Sequence, residues 1–372
     1  MPLQLLSDPR PLQDLPNNTL LAIDTEFHSE RRYTPELHLI QVQKENGPPW
    51  LVDPHNKSLL EDIAPHLTRQ PWLLHAGQMD LPLLEQALGS VPAIVLDTQI
   101  CAGLVEARYP TGLSHLLQDN LHLTIPKSQT LSDWSRRPLS PEQRQYAADD
   151  VANLHALWDV LIGRAKTLSR VEIVERACAA SRQRSLSGPD SDQLWRRVSG
   201  RQSLAGPNLC VLQDLTRWRE TLANQRNQPA HALINNRTLL DLAKRLPLDE
   251  TRLLRGRRSP KKTLQRYSTD LLEIINHSKN RTELGWPVQA SKGTADVSRL
   301  AWLQAFAEIE GQHKQWAKRL VLPDSALEQI ACGVSTSIAL QSWQRELIGS
   351  EIQSALIGDR LLRYPATEVK DF

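Results

Sequence analysis

The sequence predicts an α/β domain followed by an all-α region. Up to about residue 110, short apolar runs alternate with segments of helical apolar spacing, which is typical of a sheet covered by helices. Beyond Ser185–Asp192, a stretch rich in Ser, Gly, Pro and Asp, the apolar spacing is helical almost throughout. Since 372 residues exceed what one ordinary core holds, we expect two or three domains.

Five short apolar runs make up the predicted sheet. In chain order they are LLAI, LHLIQV, WLVD, WLLHAG and AIVLD. Helices are predicted from Ser58 and from Asp80, in the two connections that precede the fourth and the fifth run. In the rear region, apolar residues three or four positions apart, such as Leu212 and Leu215, predict amphipathic helices.

A second break divides the helical region into two parts of about equal size. It is the segment GWPVQASKGTAD, which starts at Gly285. LCVLQDL near residue 209 resembles LAWLQAF near residue 300, which suggests a duplicated module, although amphipathic patterns alone also produce such similarity. We therefore predict three domains, over residues 1–188, 189–280 and 281–372.

Composition and charge narrow the class of protein. Apolar residues make up 40% and charged residues 23%, which predicts packed cores. No apolar run exceeds four residues, and the first ten residues lack a secretion signal, so we expect a cytoplasmic location. Residues 1–190 carry 17 basic and 23 acidic side chains, whereas residues 191–372 carry 27 and 19. This asymmetry suggests an acidic site in front and a nucleic-acid surface behind, with ordinary surface variation as the alternative.

The densest basic stretch covers residues 251–266 and contains no acidic residue. It includes Arg257, Arg258, Lys261 and Lys262. We predict a phosphate-binding patch here, in preference to a merely solvated loop.

Asp24 and Glu26 lie at the end of the first apolar run. Strand alternation places both side chains on one face, where two carboxylates repel each other. They are tolerable in water or beside a divalent cation, for which hard oxygen ligands are suited. An Asp-x-Glu pair alone is a weak signal, because a strand with one wet face is an equally good interpretation.

Two further segments carry acidic residues of interest. Asp80 begins a predicted helix, where a capping role is the simple alternative. Ser140 and Gln143 predict the start of another helix, on which Tyr146 and Asp150 share one face. That face continues into apolar residues, so an unpaired Asp150 carboxylate would be costly and we expect a cation to meet it.

Taken in order, these residues resemble the three exonuclease motifs of the DEDDy class of 3′ to 5′ exonucleases. The motifs are Asp24-x-Glu26, then Asp80 within HAGQMDL, then Tyr146-x-x-x-Asp150 within YAADDV. The further segments LAIDTEF, PELHLIQV, VLDTQI and KSQTLSDWSRRPLSPEQRQYAADDV are similar to the bacterial ribonuclease D family. The resemblance implies an RNase H-like domain with a mixed β-sheet, followed by two all-α HRDC-like helical domains.

The resemblance also implies a chemistry. Tyr146 marks the DEDDy class, because the histidine class would need His where this chain has Gln145. The implied activity is a 3′ to 5′ exoribonuclease that releases nucleoside 5′-monophosphates by two-metal-ion hydrolysis. The four acidic residues would hold two divalent ions, Mg²⁺ or Mn²⁺, and the tyrosine would orient the attacking water. The expected partner is RNA, including the 3′ ends of tRNA precursors, without an obligatory protein partner.

Several other residues are candidates for contacts or turns. Phe27 could stack on the terminal base, although a phenylalanine in a strand is more often part of the core. Arg136 and Arg137 precede the helix of the third motif and could touch the RNA backbone or cap the surface. Asp53 and Asp97 each end a predicted strand and are expected to serve turns.

Two other functions stay open at this point. One is a DEDD exonuclease that acts on DNA or short oligonucleotides, since acidic residues and metal alone do not read the 2′-OH. The other is a non-catalytic nucleic-acid-binding protein whose helical modules carry the function. Retention of all four acidic residues argues against the second alternative.

Overall fold

The computed structural model describes residues 5–30, 32–125, 132–188, 190–255, 260–282 and 297–356. Contacts divide the chain into two compact units. The first consists of Met1–Glu26, His38–Leu186 and Ala290–Phe372, and the second of Phe27–Leu37 and Ser187–Gln289. Each unit has a hydrophobic core of its own.

A mixed five-stranded sheet forms the centre of the α/β region, as predicted. Its strands are β1 (Leu21–His28), β2 (Glu36–Lys44), β3 (Trp50–Val52), β4 (Trp72–Leu74) and β5 (Val95–Asp97). The spatial order is β3-β2-β1-β4-β5, with β2 and β3 antiparallel and β4 parallel to both β1 and β5. Each strand coincides with one of the five apolar runs of the sequence.

The parallel strands bring their carboxyl ends to one edge of the sheet. Leu21 pairs with Trp72 in the β1–β4 register, and Trp72 pairs with Val95 in the β4–β5 register. The residues that follow in each strand therefore lead to the same edge. Asp24 and Glu26 of β1 and Asp97 of β5 lie on this side of the sheet.

Eight helices accompany the sheet in the described part of the first unit. They are α1 (Arg10–Gln13), α2 (Lys57–Leu67), α3 (Asp80–Leu88), α4 (Thr98–Val105), α5 (Leu113–Leu121), α6 (Pro141–Ala152), α7 (Leu154–Thr167) and α8 (Val171–Leu186). The predicted capping box of α6 is present, since the Ser140 side chain accepts from the Gln143 N–H and the Gln143 side chain accepts from the Ser140 N–H. Both helices predicted before the fourth and fifth strands are also present.

The described part of the second unit is helical apart from residues 27–37. It contains two short 3₁₀ helices and six α-helices: η1 (Leu194–Arg197), η2 (Arg201–Ser203), α9 (Pro207–Gln225), α10 (Ala230–Leu233), α11 (Asn236–Arg245), α12 (Glu250–Leu253), α13 (Lys261–Arg266) and α14 (Ser268–Lys279). Leu212 and Leu215 are fully buried in its core, as the helical spacing predicts.

The last five helices of the described residues belong to the first unit. They are α15 (Val297–Lys314), α16 (Lys318–Val321), α17 (Asp324–Ala331), α18 (Thr336–Ala339) and α19 (Ser342–Leu356). Phe306 and Trp343 lie in the same core cluster as Leu157 of α7. The Arg170 guanidinium donates to the carbonyls of Leu104 (2.6 Å) and Lys314 (2.5 Å), which joins α4 to the end of α15.

The division into three domains at residues 188 and 280 stays a prediction. The break that starts at Gly285 lies outside the described residues. Among the described helices, none combines the length and apolarity that a membrane crossing requires.

Candidate active site

Three carboxylates from a strand and a helix meet above the sheet. Asp24 and Glu26 alternate on β1 after the fully buried residues 21–23, and α6 supplies Asp150. One oxygen of each of these carboxylates lies within 4.8 Å of the others. The strand period and the helix therefore combine, as predicted, to concentrate negative charge in one place.

Asp80 is the fourth acidic residue and lies at the start of α3. The helix N-cap is Met79, and the buried Asp80 carboxylate accepts a hydrogen bond from the Thr25 hydroxyl. Asp80 is outside the group within 4.8 Å, but its charge raises the pKa of both Asp24 and Glu26. All four acidic residues therefore interact electrostatically.

The turn that leads to Asp80 is held by Asp97. The Asp97 carboxylate accepts from the backbone N–H groups of Ala76 and Gly77, each at 3.1 Å, in the turn before α3. It also caps α4 by accepting from the N–H groups of Gln99 (2.8 Å) and Ile100 (3.3 Å). One side chain thus fixes the β4–α3 turn to the start of α4, which confirms and extends its predicted role in a turn.

Burial raises the pKa of each acidic residue, and the charge of neighbouring carboxylates adds to the shift. Burial is the largest cause in every case. It raises the pKa of Asp24 well above its usual value, with the charges of Asp80, Asp150 and Glu26 adding to the effect. The pKa of Glu26 is raised to about 8, that of Asp150 to about 7 and that of Asp80 to about 6. The charge of Asp149 contributes to the shift at Asp150.

This group of carboxylates fits divalent cations. Among the residues that the structure describes, no lysine or arginine forms an ion pair with Asp24, Glu26, Asp80 or Asp150. Uncompensated carboxylates in a poorly solvated place are costly, and oxygen donors are the ligands that small hard cations prefer. The cation expected beside Asp150 is therefore not a side chain of the described residues, and a bound metal ion would provide the missing charge.

Tyr146 lies one helical turn before Asp150 on α6. Its ring packs against that of Trp134, with the ring centres 6.1 Å apart and the planes tilted by 41°. Residues four apart on a helix share a face. The tyrosine is thus fixed by aromatic packing on the face that carries the acidic residue.

The predicted RNA contacts in the α/β region have different surroundings. Arg136 is exposed and pairs with Asp133 at 3.0 Å. Arg137 is exposed at the surface but held by several contacts: Nε donates to Asp53 Oδ2 (2.6 Å), and its terminal nitrogens donate to the carbonyls of Trp134 (2.8 Å) and His38 (2.7 Å). These contacts give Arg137 a structural role, so they do not support the predicted contact to RNA.

The other predicted contacts stay predictions. Phe27 is half-buried near the end of β1. Lys261 and Lys262 begin α13 and are exposed. Arg257 and Arg258 lie outside the described residues.

Thr25 is a residue of the site that the sequence motifs did not predict. It lies between the two acidic residues of the first motif, and strand alternation points its side chain away from theirs. A β-branched hydroxyl residue that is 6% exposed needs a hydrogen-bond partner, and Asp80 is that partner. One feature of the sequence could have indicated this role of Thr25: a hydroxyl residue stands between two acidic residues in a predicted strand.

The fold and the acidic group together define a 3′ to 5′ exonuclease domain that is followed in the sequence by an HRDC domain. The family model of the 3′-5′ exonuclease matches residues 10–163, and that of the HRDC domain matches residues 208–275. The first match includes all four acidic residues and Tyr146. These matches confirm the predicted fold class for both regions.

The chain belongs to the ribonuclease D family. The curated Ribonuclease D of Pseudomonas paraeruginosa is 30% identical over 356 residues, which cover 90% of this chain and 92% of that protein. Ribonuclease D of Gluconacetobacter diazotrophicus is 28% identical and covers 96% of this chain and 93% of its own.

Solved structures share the fold. The crystal structure of Escherichia coli RNase D matches with a TM-score of 0.78 and 21% identity, and covers 94% of this chain and 95% of that chain. The catalytic core of RRP6 from Trypanosoma brucei matches with a TM-score of 0.53 and 20% identity over 73% of this chain and 76% of that one.

Proposed function

We propose that this protein is a 3′ to 5′ exoribonuclease that releases nucleoside 5′-monophosphates from RNA. The observation that carries the proposal is the close approach of the Asp24, Glu26 and Asp150 carboxylates, within 4.8 Å and without a described cationic partner. Membership of the ribonuclease D family supports the same activity. The E. coli relative is described as an exoribonuclease involved in structured RNA processing, so we propose structured RNAs with 3′ extensions, such as tRNA precursors, as substrates.

Two divalent ions, Mg²⁺ or Mn²⁺, complete the proposed site. Asp24, Glu26 and Asp150 would hold one ion, and Asp24 and Asp80 the other. When bound, such ions supply Lewis-acid stabilisation of negative charge on the attacking and leaving oxygens of the phosphodiester. Burial first and neighbouring negative charge second raise the pKa values of these acidic residues, and bound cations would offset that charge.

Tyr146 is proposed to orient the attacking water. Its phenol can donate or accept a hydrogen bond, but an ordinary tyrosine pKa near ~10 makes it a poor base at neutral pH. Packing against Trp134 restricts the ring, which would hold the hydroxyl in one place. Thr25 and Asp97 act indirectly, because they fix the carboxylate of Asp80 and the turn that precedes it.

The proposal is tested by hydrolysis of matched RNA and DNA oligonucleotides in Mn²⁺. A 5′-labelled RNA should shorten stepwise from its 3′ end, and excess chelator or the isosteric Asp24→Asn change should abolish the reaction. Equal or faster hydrolysis of DNA would favour the alternative substrate class. Binding of RNA without cleavage by the wild-type protein would refute the enzymatic proposal. An RNA with a blocked 3′ end is the control, since an endonuclease would still cut it.

A further inference from the structure

Two arginines of the second compact unit lie against the same aromatic ring. The guanidinium carbon of Arg226 is 5.2 Å from the ring centre of Tyr267, and that of Arg266 is 5.6 Å from it. Arg226 directly follows α9, and Arg266 is the last residue of α13. The fold thus pairs two exposed cations that are distant in sequence.

The ring of Tyr267 is firmly placed. Tyr267 is 8% exposed, and Trp218 packs against it edge-on, with the ring centres 5.5 Å apart and the planes at 75°. An aromatic face attracts an exposed guanidinium by about 0.5–1 kcal/mol. The ring therefore restricts both arginine side chains and reduces the entropy lost when they bind a ligand.

Neither arginine forms an ion pair with a carboxylate of the described residues. Two arginines of this unit differ in this respect: Arg217 pairs with Asp192 (2.6 Å) and Asp214 (2.8 Å), and Arg245 pairs with Asp241 (2.5 Å). Neither Arg226 nor Arg266 therefore has its charge offset by a neighbouring carboxylate, and each guanidinium can donate to an anion. Each of the two arginines is thus suited to one phosphate group.

The surroundings of the pair favour an extended polyanion. Lys261 and Lys262 are exposed on α13, the helix that ends with one of the two arginines. Next to Arg226 in the chain, the Asn227 side chain accepts from the backbone N–H groups of Tyr33 (3.1 Å) and Thr34 (3.0 Å). These two residues belong to the segment that follows β1 in the chain, so one arginine is adjacent to a residue anchored to that segment.

We propose that Arg226 and Arg266 form a clamp for the phosphodiester backbone of a single-stranded RNA substrate. This inference rests on the proposed function, which makes RNA the ligand. A guanidinium can donate two parallel hydrogen bonds to one phosphate, and contacts of this kind carry no base specificity. The clamp therefore holds RNA independently of its sequence.

The test measures RNA binding by the full-length protein with Asp24→Asn, which prevents cleavage. Fluorescence anisotropy of a labelled oligouridylate is recorded over a range of salt concentrations. For the double variant Arg226→Gln/Arg266→Gln we expect about tenfold weaker binding, and a slope of log affinity against log salt that is smaller by about 1.4, since each phosphate contact on a single strand contributes about 0.7. The variant Arg226→Lys/Arg266→Lys keeps both charges and should keep the slope.

The matched control is Arg217→Gln/Arg245→Gln, which removes the same charge from arginines that already have acidic partners. We expect it to change the affinity by less than about twofold. Equal losses in both glutamine variants would show that only net charge matters and would overturn the clamp. Polyglutamate serves as a second, non-nucleic-acid polyanion. If the Arg226→Gln/Arg266→Gln variant lost binding to polyglutamate but kept binding to RNA, the ligand would be an acidic protein surface, and the clamp would also be overturned.

A parallel reaction distinguishes failure of the RNA clamp from failure of the proposed exoribonuclease activity. The wild-type protein is incubated with the same RNA and Mn²⁺. Absence of mononucleotide release would refute the proposed activity whatever the binding data show. Hydrolysis together with unchanged binding by the Arg226→Gln/Arg266→Gln variant would refute the clamp alone.

Discussion

The hydroxyl of Thr25 donates a hydrogen bond to Oδ1 of Asp80. The two residues belong to different motifs, one on β1 and the other at the start of α3. Since a carboxylate of a metal site depends on its own hydrogen-bond partners for its orientation, this contact links the first motif to the second.

Replacing Thr25 with valine should impair metal binding while the core stays filled. Valine has the shape of threonine without the hydroxyl, so the Asp80 carboxylate loses its donor. We expect about 10- to 100-fold weaker Mn²⁺ binding or activity, which is the usual effect of losing such a partner. Mn²⁺ titration followed by electron paramagnetic resonance measures binding directly. Thr25→Ser keeps the hydroxyl and should restore most of the affinity; a serine variant as weak as the valine variant would contradict this explanation.

The metal-free protein should lose stability as the pH rises. Glu26 has a pKa raised to about 8, Asp150 to about 7 and Asp80 to about 6. At a pH between the ordinary carboxyl pKa near ~4 and these raised values, the folded state binds more protons than the unfolded state. The contribution of these carboxyls to the free energy of unfolding is therefore fully present below about pH 4 and is lost as the pH rises to about 8. Melting temperatures in chelator across this range measure the effect. Glu26→Gln should flatten the decline, and a melting temperature that instead rises from pH 5 to pH 8 in the wild type would show that the shifts are absent.

Metal binding should release protons for the same reason. At pH 7 the carboxyl of Glu26 is largely protonated in the metal-free protein, because its pKa is about 8. A divalent cation binds the ionised form and displaces the proton. Calorimetric titration of Mn²⁺ in buffers of different ionisation enthalpy gives the number of protons released. We expect fewer protons at pH 9 than at pH 7; equal numbers at both pH values would argue against a shifted carboxyl.

Removal of the Tyr146 hydroxyl should slow the reaction without disturbing the fold. Tyr146→Phe keeps the ring that packs against Trp134. If the phenol orients the attacking water, kcat should fall by about 10- to 1000-fold, whereas KM and Mn²⁺ affinity should change little. Steady-state kinetics separates these quantities. A rise in KM with an unchanged kcat would assign the hydroxyl to substrate binding instead.

Arg137 and Arg136 should respond differently to the same substitution. Arg137 donates to Asp53 and to two backbone carbonyls, so Arg137→Gln removes an ion pair and two partly buried hydrogen bonds and should destabilise the fold by about 1–3 kcal/mol. Arg136 is exposed, so Arg136→Gln should change stability by less than about 0.5 kcal/mol. Denaturant unfolding compares the two. If both variants were equally stable, Arg137 would have no structural role and would again be a candidate for contact with RNA.

Local features of the sequence were sufficient for the elements of the fold. The five apolar runs became the five strands, because strand length and alternation depend on neighbouring residues. The capping box of α6 was readable from Ser140 and Gln143, since both partners lie within one helical turn. Motif order and spacing were likewise enough to predict the four acidic residues as candidates.

Tertiary structure decided which of these groups meet and what else meets them. The approach of Asp150 to Asp24 and Glu26, the hydrogen bond from Thr25 to Asp80, and the pairing of Arg137 with Asp53 all join segments distant in the chain. The inclusion of α15 to α19 in the first compact unit also depends on such contacts. A local pattern specifies a helix or a strand and the face that it buries. It does not specify the partner on that face, because many apolar surfaces satisfy the same hydrophobic requirement and only packing of the whole chain selects one.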